Sequence, residues 1–164
     1  MGTNNFKLTP FLAGLTLAIA VFFCDWISKY FILSHFTASP KVIDITSFFN
    51  LILVWNKGIS FSLLSSNSVY TPYLWSLLSL TIIIILFIWL AKEKNSYSAL
   101  ALGAIIGGAS GNVFDRLYYG AVVDFLDFHI GTWHWPAFNF ADSAICLGVF
   151  VLILTSFHSV KDKK

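Results

Sequence analysis

Long apolar runs alternate with short polar connections along this chain, and four of the runs have about the length needed to cross a membrane. They cover residues 11–33, 73–91, 97–114 and 139–157, and a span takes about 20 mostly apolar residues. The second run has no charged residue and includes four consecutive isoleucines. The third is short and rich in glycine, which favours close packing between membrane helices. The pattern predicts four transmembrane helices.

Two of the connections carry an apolar pattern of their own. Residues 42–64 are rich in aromatic and β-branched residues, and residues 117–138 contain the stretch AVVDFLDF. Such patterns are typical of strands, and strands with open edges are too costly inside hydrocarbon. We therefore predict an all-α membrane protein with four transmembrane helices and a small extramembrane β-sheet on its outer face.

The composition supports a lipid environment and excludes a soluble fold. Hydrophobic residues make up 57% of the chain and charged residues only 11%, whereas a soluble domain has about 25% charged residues. No basic patch supports a nucleic-acid partner. Of the two sides that four spans define, one carries six lysines and the other only Lys41, Lys57 and Arg116. By the positive-inside rule, both termini are expected to be cytoplasmic.

Most of the polar residues at membrane depth lie toward the outer ends of the predicted spans or in the outer connections. Ionisable residues inside a membrane are costly, so they either pair with one another or serve a function. The candidates are Asp25, Lys29, Asn112, Asp115, Arg116, Asp124, Asp127, Asn139 and Asp142.

Several of these residues also have a structural interpretation. Asp25 and Lys29 have the i, i+4 spacing of a helical ion pair, so they could pair structurally or contact a substrate. Arg116 could cap its helix or bind a lipid phosphate. Asp142 could simply cap the fourth helix, where the helix dipole favours an anion.

Two further points stay open at the level of pattern. Asp124 and Asp127 are three residues apart on a predicted strand and should face opposite ways, but periodicity does not say which of them turns inward. His129 and His134 match no zinc-binding spacing. We interpret these histidines as interfacial and expect no metal and no cofactor.

Five segments, in this order, resemble the motif set of the lipoprotein signal peptidase family, also called signal peptidase II. They are DWISK from residue 25, NKGISFSLL from residue 56, GNVFDR from residue 111, GAVVDFLDF from residue 120 and FNFADSAI from residue 138. No single motif is strong, but five in order on the expected elements are specific. One departure is Ile59-Ser60, where the family more often has small residues, and this affects packing instead of chemistry.

The resemblance implies a membrane-embedded aspartyl endopeptidase, with residues 1–164 as one integral-membrane domain. It would remove signal peptides from diacylglyceryl-modified bacterial prolipoproteins, as a monomer in contact with membrane lipids of the cytoplasmic (inner) membrane, with its active site near the outer face. Asp124 and Asp142 are implied as the catalytic pair. The residues implied to line or support the site are Asn112, Arg116, Asn139, Asn56, Gly58, Asp25 and Lys29, and Asp115 joins them as a neighbour of Asn112 at i, i+3.

Paired carboxylates suit this chemistry because two close acids share one proton, so that one serves as base and the other as acid. The base would activate a water molecule, and the acid would protonate the leaving amine. The rival interpretation is a small four-helix membrane transporter or ion pathway, which would also use intramembrane acids. Against it, the charges cluster at one boundary, and residues 73–91 have none.

Overall fold

A computed structural model describes residues 9–36, 42–58 and 70–161 of the protein. Its four helices are α1 (Pro10–Phe36), α2 (Thr71–Lys92), α3 (Ser96–Tyr119) and α4 (Phe140–Lys161). All four are long and apolar enough to cross a membrane, which confirms the predicted fold class. Residues 59–64 of the predicted outer segment lie outside the described residues.

The helices present large apolar side chains to their surroundings instead of burying them. In α2 the buried residues are only Thr71, Ser76 and Leu90, while isoleucines and leucines along its length are exposed. A helix that is hydrophobic all round needs an apolar solvent or a protein core. Since α2 packs only part of its surface against protein, lipid is the medium that covers the rest.

Helix α3 lies at the centre of the bundle because glycines allow its neighbours to approach closely. An added Cβ at Gly103 would collide with the carbonyl oxygen of Gly14, and one at Gly107 with the carbonyl oxygen of Ala18, both on α1. At Gly108 a Cβ would lie 2.5 Å from the carbonyl oxygen of Ala141 on α4. The glycine-rich composition of the third run is therefore used for helix packing, as in other membrane bundles.

Four strands form one antiparallel sheet in the order β1-β2-β3-β4. The strands are β1 (Ile43–Thr46), β2 (Phe49–Asn56), β3 (Val122–Ile130) and β4 (Trp133–His134). The connection between α1 and α2 and the one between α3 and α4 therefore build a common sheet. One face of it packs on the end of α1, where Ile32 and Phe36 contact Val123 and Phe125 in an apolar cluster. This contact fixes the sheet against the bundle.

An irregularity in β3 decides which aspartates share a face. The N–H groups of Phe125 and Leu126 both donate to the carbonyl oxygen of Phe138, at 3.0 and 2.8 Å, and the register with β2 also shifts in this region. Two residues opposite one are the mark of a β-bulge. Phe125 and Leu126 accordingly pack in the same apolar cluster, while Asp124 and Asp127 line one cavity. The prediction that these two aspartates face opposite ways is wrong.

Candidate active site

The start of α4 holds two candidate residues in a reciprocal cap. Oδ1 of Asn139 accepts a hydrogen bond from the backbone N–H of Asp142 at 2.9 Å, and Oδ2 of Asp142 accepts one from the backbone N–H of Asn139 at 3.3 Å. This is the geometry of a capping box. Asp142 does take part in a cap through Oδ2. Its other oxygen, Oδ1, faces the site and accepts a hydrogen bond from Nδ2 of Asn112 at 2.9 Å.

The C-terminal end of α3 supplies the next group of residues. Gly120 ends the helix in the left-handed region, with a φ of 76°, and its N–H donates to the carbonyl oxygen of Arg116 at 3.1 Å. Glycine suits this position because it has no Cβ to clash. The chain then enters β3 after a single residue, which brings Asp124 close to Asn112 and Arg116.

Asp124 is buried, with 2% of its surface exposed, and both of its oxygens accept amide hydrogen bonds. Nδ2 of Asn139 donates to Oδ1 at 2.8 Å, and Nδ2 of Asn56 donates to Oδ2 at 2.9 Å. Burial, followed by the negative charge of Asp142, raises the pKa of Asp124 from 3.8 to about 7. The two amide hydrogen bonds act in the opposite direction without cancelling this effect. Asp124 can therefore hold a proton near neutral pH.

A buried ionic network lies directly behind this pair of aspartates. Nζ of Lys29 lies 2.7 Å from Oδ2 of Asp25 and 2.8 Å from Oδ2 of Asp115. The backbone N–H of Ala141 donates to Asp25, and that of Val123 donates to Asp115, at 2.9 and 3.1 Å. The network therefore ties α1 and α3 to the first turn of α4 and to the start of β3.

Asn56 and Gly58 connect the end of β2 to this site. Oδ1 of Asn56 accepts from the N–H of Gly58 at 2.9 Å, which orients the Asn56 amide so that its Nδ2 faces Asp124. The carbonyl oxygen of Gly58 accepts from Nη2 of Arg116 at 3.2 Å. Arg116 is buried and also donates to the carbonyl oxygen of Asn112 near the end of α3 at 3.3 Å, so it takes part in capping its helix, as one of its interpretations expected, and also contacts the site.

The ten residues expected to form or support the site (the two aspartates and their eight neighbours) lie together in one connected network of hydrogen bonds and ion pairs. Asn50, Asp127 and His134 line the same cavity as Asp124, but the family resemblance gave none of them a place in the site. A signal for Asn50 was present, because a single asparagine interrupts the apolar start of β2. His134 was interpreted as interfacial, and its side chain is half exposed but also bonded to Asp127.

Across residues 9–36, 42–58 and 70–161, no group of three or more His, Cys, Asp or Glu side chains could hold a metal ion. The two aspartates are instead surrounded by amide N–H donors. Two carboxylates from separate elements, joined through shared amide partners, are the arrangement used for acid–base catalysis by paired acids. Fold and site together define the class: a four-helix membrane protein with an aspartate pair.

Comparisons with known proteins agree with this class and make it specific. The family model described as Signal peptidase (SPase) II matches residues 17–158. A lipoprotein signal peptidase of Janthinobacterium sp. (strain Marseille) is 43% identical over 150 residues, covering 91% of this chain and 90% of that protein. One of Aeromonas hydrophila is 42% identical over 154 residues, covering 93% and 92%.

Solved structures show the same likeness. A bacterial membrane enzyme determined by the in meso method at 2.3 Å resolution superposes with a TM-score of 0.79 at 27% identity, covering 92% of this chain and 91% of that one. A second, at 1.9 Å resolution, has a TM-score of 0.73 at 28% identity, with 87% and 90% covered. The chain belongs to the signal peptidase II family. It is a multi-pass membrane protein of a bacterial peptidase family.

Proposed function

We propose that this protein is an aspartyl endopeptidase that cleaves the signal peptide from diacylglyceryl-modified prolipoproteins within the membrane. The observation that carries the proposal is the pair Asp124 and Asp142, which two separate elements bring together. Hydrogen bonds through Asn112 and Asn139 join the two residues. Both relatives described above are named lipoprotein signal peptidases, and neither name suggests transport.

We infer different tasks for the two carboxylates from their surroundings. Asp142 lies in the first turn of α4, where the helix dipole stabilises an anion, and Asn112 donates to it. It serves as the base that takes a proton from the attacking water. Asp124, with its pKa of about 7, holds the shared proton, polarises the peptide carbonyl and then protonates the leaving amine.

The remaining candidates hold this pair and the substrate in place. Asn56 and Asn139 orient Asp124 through their amides. Arg116 donates to the carbonyl oxygen of Gly58 just after β2, and its guanidinium can also bind a substrate carbonyl. Lys29, with Asp25 and Asp115, supports the site from behind.

The placement of the site suits a substrate that is anchored in lipid. The polar cluster lies where α3 ends and α4 begins, and the sheet extends from the same end of the bundle. With both termini cytoplasmic, as the lysine distribution predicts, this end faces outward, where water for hydrolysis is available. The signal helix then packs against the apolar spans as a neighbour in the bilayer, and one copy of the chain supplies the whole site.

The test is cleavage of a purified diacylglyceryl-modified prolipoprotein by the full-length protein in detergent or nanodiscs. We expect a shortened lipoprotein to appear, and we expect Asp124→Asn and Asp142→Asn each to lower kcat by about 10² to 10⁴, the usual contribution of an acid or base group. The matched control is Asp44→Asn, which alters an exposed aspartate of β1 and should retain wild-type turnover. If the wild-type protein left the lipid-modified substrate intact, the proposal would be rejected.

A further inference from the structure

A cavity of about 500 Å³ lies along one face of the sheet and reaches the proposed catalytic pair at Asp124. Asp124 lines it, and so do Asn50, Asp127 and His134. Asp124 and Asp127 are three residues apart on β3, so their backbones are separated by at most about 10 Å, the length of three residues at the usual rise. The bulge in β3 turns both side chains to this cavity. The proposed site therefore has a second polar cluster at a fixed distance from its acids.

The second cluster is a buried carboxylate held by two donors. Nδ1 of His134 lies 2.8 Å from Oδ1 and 3.0 Å from Oδ2 of Asp127, and Nδ2 of Asn50 donates to Oδ2 at 3.1 Å. Asp127 is only 4% exposed. Because a carboxylate only accepts hydrogen bonds, Nδ1 of His134 carries the hydrogen. Nε2 is then the ring atom that remains for a ligand, on a side chain that is half exposed and lines the cavity.

Apolar side chains join the two ends of the cavity. Ile52 and Val54 of β2 line it, and so do Pro136 and Ala137, which follow β4. A channel with apolar walls and one polar group at a set distance suits an extended peptide, whose backbone needs few but well-placed partners. The length between Asp124 and Asp127 corresponds to about three residues of such a peptide.

The direction of the peptide follows from the chemistry of the two substrate halves. A signal helix is apolar and stays beside the spans, whereas the mature segment past the lipid-modified residue is hydrophilic and must extend out of the bilayer. Asp127 and His134 lie toward the β3–β4 hairpin, on the side of Asp124 away from the junction with α3. The mature half is therefore the half that reaches this end of the cavity.

We propose that Asn50, Asp127 and His134 form a subsite for the mature segment of the substrate, about three residues beyond the cleaved bond. Nε2 of His134 bonds to this segment, and Asp127 and Asn50 hold the ring in position. The proposal rests on the proposed function, since it concerns the same substrate. It makes the hairpin a specificity element in addition to its structural role.

The experiment combines one enzyme variant with two substrates. His134→Asn keeps an N–H donor at the position of Nδ1 for Asp127 but removes Nε2. The long substrate is a lipid-modified prolipoprotein peptide that continues well past the cleaved bond, and the short substrate ends before the third residue beyond it. His35→Asn is the matched control, because His35 is an exposed histidine at the end of α1. Short-substrate cleavage also reports whether each variant is correctly folded.

For the long substrate, we expect His134→Asn to raise KM by about 3- to 10-fold with kcat little changed, as for one lost hydrogen bond. For the short substrate, wild type and His134→Asn should have the same kcat/KM, since the lost contact is absent from both reactions. An equal fall on both substrates would assign His134 a purely structural role and overturn the subsite. Unchanged long-substrate kinetics would also overturn it. Failure of the wild type to cleave either substrate would instead reject the proposed function itself.

Discussion

Nζ of Lys29 donates a hydrogen bond to Oδ1 of Asn112 at 3.1 Å, and this contact fixes which way the Asn112 amide faces. An ammonium group has only donors, so the amide oxygen must point to it. The amide nitrogen is thereby directed to Oδ1 of Asp142 at 2.9 Å. A buried cation on α1 thus positions, through a side chain of α3, a carboxylate on α4.

This relationship predicts the effect of Lys29→Met. The substitution leaves Asp25 and Asp115 buried without a countercharge, and Asn112 without the donor that orients it. Removing one partner of a buried ion pair costs about 3–5 kcal/mol, so the unfolding temperature in detergent should fall markedly. In the fraction of Lys29→Met that remains folded, kcat should fall by a larger factor than the factor by which KM changes. Lys92→Met, at the exposed end of α2, is the control. If both variants had the same unfolding temperature, the prediction would be contradicted.

Much of this fold was predictable because membrane spans leave a strong signal. A run of apolar residues with the length of a bilayer has few other interpretations, and each of the four predicted runs lies within a helix, except that α4 begins one residue after the predicted start. Ionisable residues such as Asp25 and Lys29 were identifiable for the same reason. A charge inside a membrane segment is expensive and rarely accidental.

The orientation of Asp127 could not be predicted, because it depends on a partner distant in sequence. The bulge forms where Phe125 and Leu126 both donate to the carbonyl oxygen of Phe138, and alternation within β3 contains no sign of it. The pair His134–Asp127 depends in turn on the short strand β4, whose two residues are too few to form a pattern. Local periodicity predicts an element, but tertiary pairing sets its register.

The glycines of α3 give a second prediction, on stability. An added Cβ at Gly107 would meet the carbonyl oxygen of Ala18 and lie 2.9 Å from Cβ of Val21, so α1 and α3 would have to separate. Gly107→Ala should lower the free energy of unfolding by about 1–3 kcal/mol, as overpacking usually does. Leu100→Ala, at an exposed position of the same helix, should change it by no more than about 0.5 kcal/mol. Unfolding in detergent measures both, and an equal or smaller effect of Gly107→Ala would contradict the close crossing.

Metal independence is a third prediction. Asn56, Asn112 and Asn139 all direct N–H groups to the two carboxylates, and donors of this kind occupy the lone pairs that a cation would need. Treatment with a strong chelator should therefore leave turnover unchanged, while a zinc endopeptidase assayed in parallel is inactivated. Loss of turnover on chelation, with recovery on addition of one particular metal, would show that a metal takes part.

The pH dependence of cleavage provides the last prediction. The proposed mechanism needs one proton on the aspartate pair, and the pKa of Asp124 is raised to about 7. A raised pKa means that this proton is kept up to about pH 7 and lost above it, so kcat/KM should fall as the pH rises through this range.

The hydrogen bond from Asn56 lowers the pKa of Asp124, because it favours the ionised form. Asn56→Ala should therefore move the alkaline limb to higher pH, even if it also lowers the maximum rate. Asn95→Ala, which alters the cap at the far end of α3, should leave the limb in place. A limb that moves to lower pH in Asn56→Ala, or that does not move, would show that Asp124 is not the group that limits activity at high pH.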